Sequence, residues 1–139
     1  MKGDKNMIGY IFSLIVAVIT FGMALLQLSL TFGSPLGEYV LGGANKVLPT
    51  KMHYVSAAFT LFFILVGLVY LQKGSVLNIG LNPMFVNIFV IVNTLFLAYA
   101  IVGNGLLTKS KKEKYVMTPF SIIQFVGSMI VIFESINKN

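Results

Sequence analysis

The chain has no cysteine and no arginine, a single histidine, and only four acidic residues. Without cysteine there are no disulfides, no thiolate metal sites and no CxxC redox chemistry, and the redox compartment leaves no mark. One histidine without cysteine cannot make the usual zinc ligand set, and a bis-histidine haem would need a second chain. No metal or other cofactor is expected. Charge is scarce, at 10% of residues, and every basic residue is a lysine, with a net charge of +6. Lysines flanking apolar segments gain from the negative surface potential of a membrane, so this excess points to anionic headgroups, and no nucleic-acid role is expected.

What the chain has in abundance is apolar side chain. With 57% hydrophobic residues and a mean hydropathy of +0.89, 139 residues cannot hide that surface in a water-soluble domain. The solvent is therefore a bilayer, and the length suffices for a single domain, residues 1–139. A hydrocarbon core of about 30 Å needs roughly 20 apolar residues in a helix. Four such runs occur: Met7 to Thr31, Tyr54 to Leu71, Met84 to Leu107, and Phe120 to Ile136, the last carrying only Glu134 near its end. The first begins near lysines, as a secretory signal does. Its apolar run exceeds the usual length of about 7–15 residues and no A-x-A site follows, so it reads as a retained span.

The punctuation agrees. Asn82-Pro83 and Thr118-Pro119 each place a capping side chain before a proline suited to the first helical position, and Thr50 after Pro49 is a similar candidate cap. At about 100° per residue, small and polar residues line one stripe of each span. These are Gly9, Ser13, Ala17, Thr20, Ala24 and Gln27; then His53, Ser56, Ala57, Thr60 and Gly67. The third span gathers Asn93, Ala100 and Asn104 beside Asn87 and Thr94, and the fourth Ser121, Gln124, Ser128 and Ser135. In lipid such residues let backbones approach and find hydrogen-bond partners across helices. The expected architecture is all-α: a polytopic transmembrane four-helix bundle with a long ordered loop between helices 1 and 2. Tyr10, Tyr39, Tyr54, Tyr70 and Tyr115 lie near span ends, where the ring suits the membrane interface.

With four spans, Lys46, Lys51, Lys109, Lys111, Lys112 and Lys114 share one side, against Lys2, Lys5, Lys73 and Lys138 on the other. Six against four favours loops 32–52 and 108–118 being cytoplasmic, in a multi-pass protein of the cell membrane. The run Lys109 to Lys114 reads as this orientation signal, with docking of an acidic partner as the alternative.

The first loop is the place where a site could be. Gly33, Gly37, Gly42 and Gly43 permit unusual backbone, Pro35 and Pro49 fix direction, and Leu36, Tyr39, Val40, Leu41, Val47 and Leu48 are too apolar for a solvated linker. It should fold back onto the bundle, either as a lid that closes one end or with Glu38, Tyr39, Lys46, Lys51 and His53 around a pocket mouth. It is no phosphate loop, because Gly43 rather than Lys follows Gly42. Gln27 and Asn104 are the candidate interior contacts. The amides of Gln27, Asn87, Asn93, Asn104 and Gln124 either line a polar path or simply join helices. No charged residue lies in the middle of a span, which speaks against proton-driven export.

The stretch PLGEYVLGGANKVLPTKM resembles a first-loop pattern of small four-span bacterial membrane proteins without an assigned activity. The resemblance covers about 20 residues and implies fold and membrane location only. Small multidrug exporters want a glutamate in the first helix, membrane glutathione transferase relatives want arginines, and quinone-linked thiol oxidases want cysteine pairs; this chain lacks each. The leading expectation is a noncatalytic membrane protein that binds a lipid or small amphipathic ligand near the first loop. Membrane lipids are its expected partners, with a homodimer as an option. A transporter or channel component with an amide-lined interior, and a lipid-acting enzyme using His53 and Glu38, are the alternatives.

Overall fold

A computed structural model describes the backbone of residues 2–40 and 45–137 and the side chains of 7–40 and 45–136. It contains four long helices and, among the described residues, no strand: α1 (Lys2–Thr31), α2 (Thr50–Lys73), α3 (Pro83–Val102) and α4 (Lys111–Asn137). Gly103–Leu107 continues α3 as one π-helical turn, and Gly37–Tyr39 forms a 3₁₀ turn in loop 1. All four helices are long and apolar enough to cross a membrane. They form an antiparallel ring in which each packs on its sequence neighbours and α4 closes against α1.

The polar stripes face inward, as expected. Ser13, Ser56 and Ser128 are fully buried, whereas Leu25, Leu61 and Leu95 are 67%, 70% and 68% exposed. Only an apolar solvent makes that arrangement favourable, because greasy side chains cost nothing against lipid and unpaired polar groups cost much. Between the serines, Val16, Ala17, Val66, Val69, Tyr70 and Val90 form the apolar part of the core.

Several helix ends have a chemical cause. Gly33, at φ +93°, ends α1 in a Schellman turn: Gly33 N–H donates to Leu30 O and Ser34 N–H to Ser29 O. The same bonds end α2, from Ser75 to Gln72 O and from Val76 to Leu71 O, with Ser75 rather than a glycine at positive φ. The adjacent glycine has another task. A Cβ on Gly74 would lie 2.4 Å from Ser13 Cβ, so α1 touches the end of α2 only because that side chain is absent. Asn82 caps α3 as expected, its Oδ1 accepting from Met84 N–H at 2.8 Å with Pro83 at the first position.

Two boundaries differ from expectation. Helix α2 begins at Thr50 with Pro49 at the cap position, so Thr50 is already helical and caps nothing. Helix α4 begins at Lys111, not Phe120, and carries Pro119 inside. The spacing Ser110-x-x-Glu113 explains this: Ser110 Oγ accepts the Glu113 N–H at 3.2 Å and starts the helix one turn after the π turn ends. The proline then removes one backbone donor without ending the helix.

Gly74→Leu is expected to force α1 from α2 and cost about 1–3 kcal/mol, read as a lower unfolding midpoint in detergent. Gly22→Ala, where an added Cβ meets nothing within 4 Å, should leave the midpoint within about 0.5 kcal/mol of wild type.

Candidate functional site

Two sets of polar contacts fasten the bundle, and a cavity lies between them. The first is a cluster in the interior. The Tyr70 hydroxyl of α2 shares a short hydrogen bond with Ser128 Oγ of α4 and accepts from Asn93 Nδ2 of α3 at 3.1 Å. Thr94 Oγ1 donates to Val90 O at 2.7 Å and lies at 2.5 Å from Ser128 Oγ. Gln124 Nε2 of α4 donates to Thr20 Oγ1 of α1 at 2.9 Å, which brings in the fourth helix. Tyr70, fully buried, is thus an internal tyrosine rather than an interfacial one. Sequence position suggested the opposite because it stands near the end of its span, yet its ring runs back into the bundle.

The second set holds loop 1. Gly37 N–H donates to Lys46 O at 2.8 Å, joining the chain on either side of residues 41–44, and a Cβ at Gly37 would fall 2.1 Å from Asn45 O. Gly42 and Gly43 lie outside the described residues. Leu30, Val40 and Leu48 are buried together with Leu26, Tyr39 and Met52 packed on them, so the described parts of the loop do fold back onto the bundle. Ser110 Oγ donates to Glu38 O at 2.6 Å, Lys112 Nζ donates to Glu38 Oε1 at 3.1 Å, and that ammonium stands 5.8 Å from the Tyr39 ring centre. Loop 1 is therefore tied to the start of α4.

Between these fastenings is a cavity of about 410 Å³. Thr20, Asn93 and Gln124 line its inner part; Gln27, Tyr39, Asn104 and Glu113 line the part nearer loop 1. Its walls are apolar and aromatic, with Phe59 and Phe63 from α2 and Phe96 and Tyr99 from α3. The π turn at the end of α3 places Gly103 and Asn104 on the wall, and Asn104 Nδ2 donates to Ser121 Oγ at 3.1 Å. Such turns are frequent at functional sites.

Of the residues singled out from sequence, the cavity gathers Gln27, Tyr39 and Asn104. Glu38 neighbours it but turns its carboxylate to Lys112. Lys46 and Lys51 are exposed at the same end, and His53, half-buried, holds its Nε2 3.1 Å from Leu48 O, bracing the entrance to α2. These three do not line the cavity. Asn87 lies on the exposed face of α3, where its Oδ1 accepts from Lys73 Nζ.

Sequence reasoning missed Glu113, which is 5% exposed and lines the cavity. The signal was present: continuing the α4 stripe backwards from Ser121 in steps of four gives Met117 and Glu113, both buried. The Thr118-Pro119 pair hid it by suggesting that a helix begins there.

Fold and site define a polytopic four-helix bundle with an internal cavity. Comparison with protein-family models, with curated proteins and with solved structures finds no match to this chain.

Tyr70→Phe removes the hydroxyl that Ser128 and Asn93 share. The expected cost is about 1 kcal/mol, measured by unfolding in mixed detergent micelles, in keeping with interhelical hydrogen bonds in membranes.

Proposed function

We propose that this chain is a noncatalytic membrane protein that binds a lipid or other small amphipathic molecule in the cavity beneath loop 1. The cavity itself carries the reading. Its volume of about 410 Å³ falls among ligand sites, which span about 300–1,000 Å³. Aromatic walls with a few converging polar groups are the usual composition of such sites. Phe96, Tyr99 and Leu107 line the cavity and are 37%, 66% and 64% exposed, on a surface that lipid would cover. A ligand could then enter sideways from the bilayer, apolar body first.

In this reading loop 1 is the closing element. Tyr39 and Val40 contribute to the cavity wall, while Glu38 and His53 hold the loop in place through Lys112 and Leu48. Lys46 and Lys51 would meet anionic headgroups around the opening. The amides of Asn93 and Gln124, each donating to another helix, supply cohesion. The loop 1 and loop 3 end, with six lysines against four, would face the cytoplasm of a cell membrane.

Native mass spectrometry of protein extracted with its surrounding lipid tests the site. A bound species of defined mass should persist in a Glu38→Ala, His53→Ala double variant and disappear in Ala100→Trp, which fills the cavity. Loss in the double variant with retention in Ala100→Trp would move the site to the loop surface. Heterogeneous bulk lipid in all three proteins would remove the reading.

Because the chain has no cysteine, orientation can be read from single introduced thiols. In intact cells Asn78→Cys should react with a membrane-impermeant maleimide and Lys109→Cys should not; the reverse pattern would invert the assignment.

A further inference from the structure

We infer that the cavity's ligand has a neutral head that both donates and accepts hydrogen bonds, as a hydroxyl or carboxamide does, and that Gln27 recognises it. This rests on the cavity-binding reading above and adds the chemistry of the ligand's head.

Among the described residues, four side-chain amides line the cavity, and three of them join helices. Asn93 Nδ2 donates to the Tyr70 hydroxyl, Gln124 Nε2 to Thr20 Oγ1 and Asn104 Nδ2 to Ser121 Oγ. Gln27 is the exception. It is 6% exposed, and its Oε1 is buried with no hydrogen-bond partner among the described residues. A buried acceptor in that state is costly until a donor reaches it. The same amide carries a donor, Nε2, beside that acceptor. Tyr39 and Tyr99 also line the cavity, and their hydroxyls donate or accept. An ammonium head only donates and a carboxylate only accepts, so each uses half of what this wall offers. A hydroxyl or carboxamide uses both halves.

Charge is poorly served by the same surroundings. Glu113 is the one charged residue among those described on the wall, and it already has an interaction of its own. A cationic head would have to compete for a carboxylate that is engaged. No lysine is among the described residues lining the cavity, and the six of this end, Lys46, Lys51, Lys109, Lys111, Lys112 and Lys114, are all exposed. An anionic head would lose its water with no cation beside it, the most expensive form of burial. A neutral head avoids both costs. Gln27 lies in the part of the cavity nearer loop 1, and Phe59, Phe63 and Phe96 line its walls. The head therefore sits at the loop end, with the apolar body against the rings.

The test uses probes built on one apolar body: phenylbutanol, phenylbutanamide, phenylbutylamine, phenylbutyrate and, with no head group, butylbenzene. Calorimetric titration is done on the full chain in zwitterionic nanodiscs at neutral pH, with the signal of empty nanodiscs subtracted to remove partitioning into lipid. The alcohol and the carboxamide should each bind about tenfold more tightly than butylbenzene, the effect of pairing one buried acceptor. The amine and the acid should bind more weakly than either. Gln27→Leu should bring the alcohol and the carboxamide to the level of butylbenzene, and Ala100→Trp should abolish binding of every probe. In protein stripped of lipid in detergent, Gln27→Leu should leave the unfolding midpoint unchanged or raise it. Gln124→Leu, which breaks a bond between helices, should lower it.

Equal affinity of butylbenzene and the alcohol would mean that water serves Gln27, and would overturn the inference. So would an amine or acid that matches the alcohol in wild type, or a Gln27→Leu variant that keeps the preference for alcohol and carboxamide. If Gln27→Leu does not fold, the unbranched Gln27→Met is judged in the same way. Loss of the fold in both, or a midpoint lowered in both as far as in Gln124→Leu, makes Gln27 a helix fastening and also overturns the inference. The cavity reading survives each of these results when Ala100→Trp still abolishes binding. If no probe binds wild type, or Ala100→Trp binds like wild type, cavity reading and inference fall together.

Discussion

The Tyr70 hydroxyl is where three of the four helices meet. In a lipid solvent no apolar surface is hidden by bringing helices together, so association needs close backbone approach and polar groups that find one another. Tyr70 supplies both ends of that requirement. Its ring fills the core among Val16, Val66 and Val90, and its oxygen meets Ser128 and Asn93, so one side chain ties α2 to α3 and α4. The Gln124 to Thr20 bond adds α1. Glycine and serine then set the distances: Gly67 lies under the Phe21 ring, Gly127 under Val16, and Gly74 against Ser13.

The other fastening centres on the Ser110 hydroxyl. Ser110 Oγ accepts the Glu113 N–H and donates to Glu38 O, so the residue that starts α4 also holds loop 1 down. The Glu38–Lys112 pair beside it is half solvated, with side chains 38% and 54% exposed, and such pairs contribute little by themselves. The hydroxyl and the buried cluster of Leu30, Val40 and Leu48 are the stronger restraint. The cavity is what the two fastenings leave between them: a space whose inner end is the polar interior cluster and whose outer end is loop 1.

Much of the architecture was legible in the residues. Run length and hydropathy locate four spans, and spacing alone identifies the buried stripes, since Ser13, Ala17, Thr20, Ala24, Gln27, Ser56, Thr60, Asn93, Ser121, Gln124 and Ser128 are all buried. These features are local and periodic, which is why a linear reading finds them. The site was legible only in fragments. Gln27, Tyr39 and Asn104 were singled out, but Glu38, Lys46, Lys51 and His53 drew attention because they are charged or titratable, and the structure keeps them off the cavity wall.

By itself, then, the sequence determined the solvent, the number of helices and the face each turns inward, because composition and a 3.6-residue period depend only on neighbours along the chain. Tertiary structure decided the rest. It turned Tyr70 from a candidate interfacial ring into the central bond, and it carried α4 through Pro119 back to Ser110. It also put Glu113 on the cavity wall while its lysine neighbours stayed outside. Each of these depends on contacts between residues far apart in the chain, such as Tyr70 with Ser128 and Glu38 with Ser110, and no local period encodes which partner will be in reach.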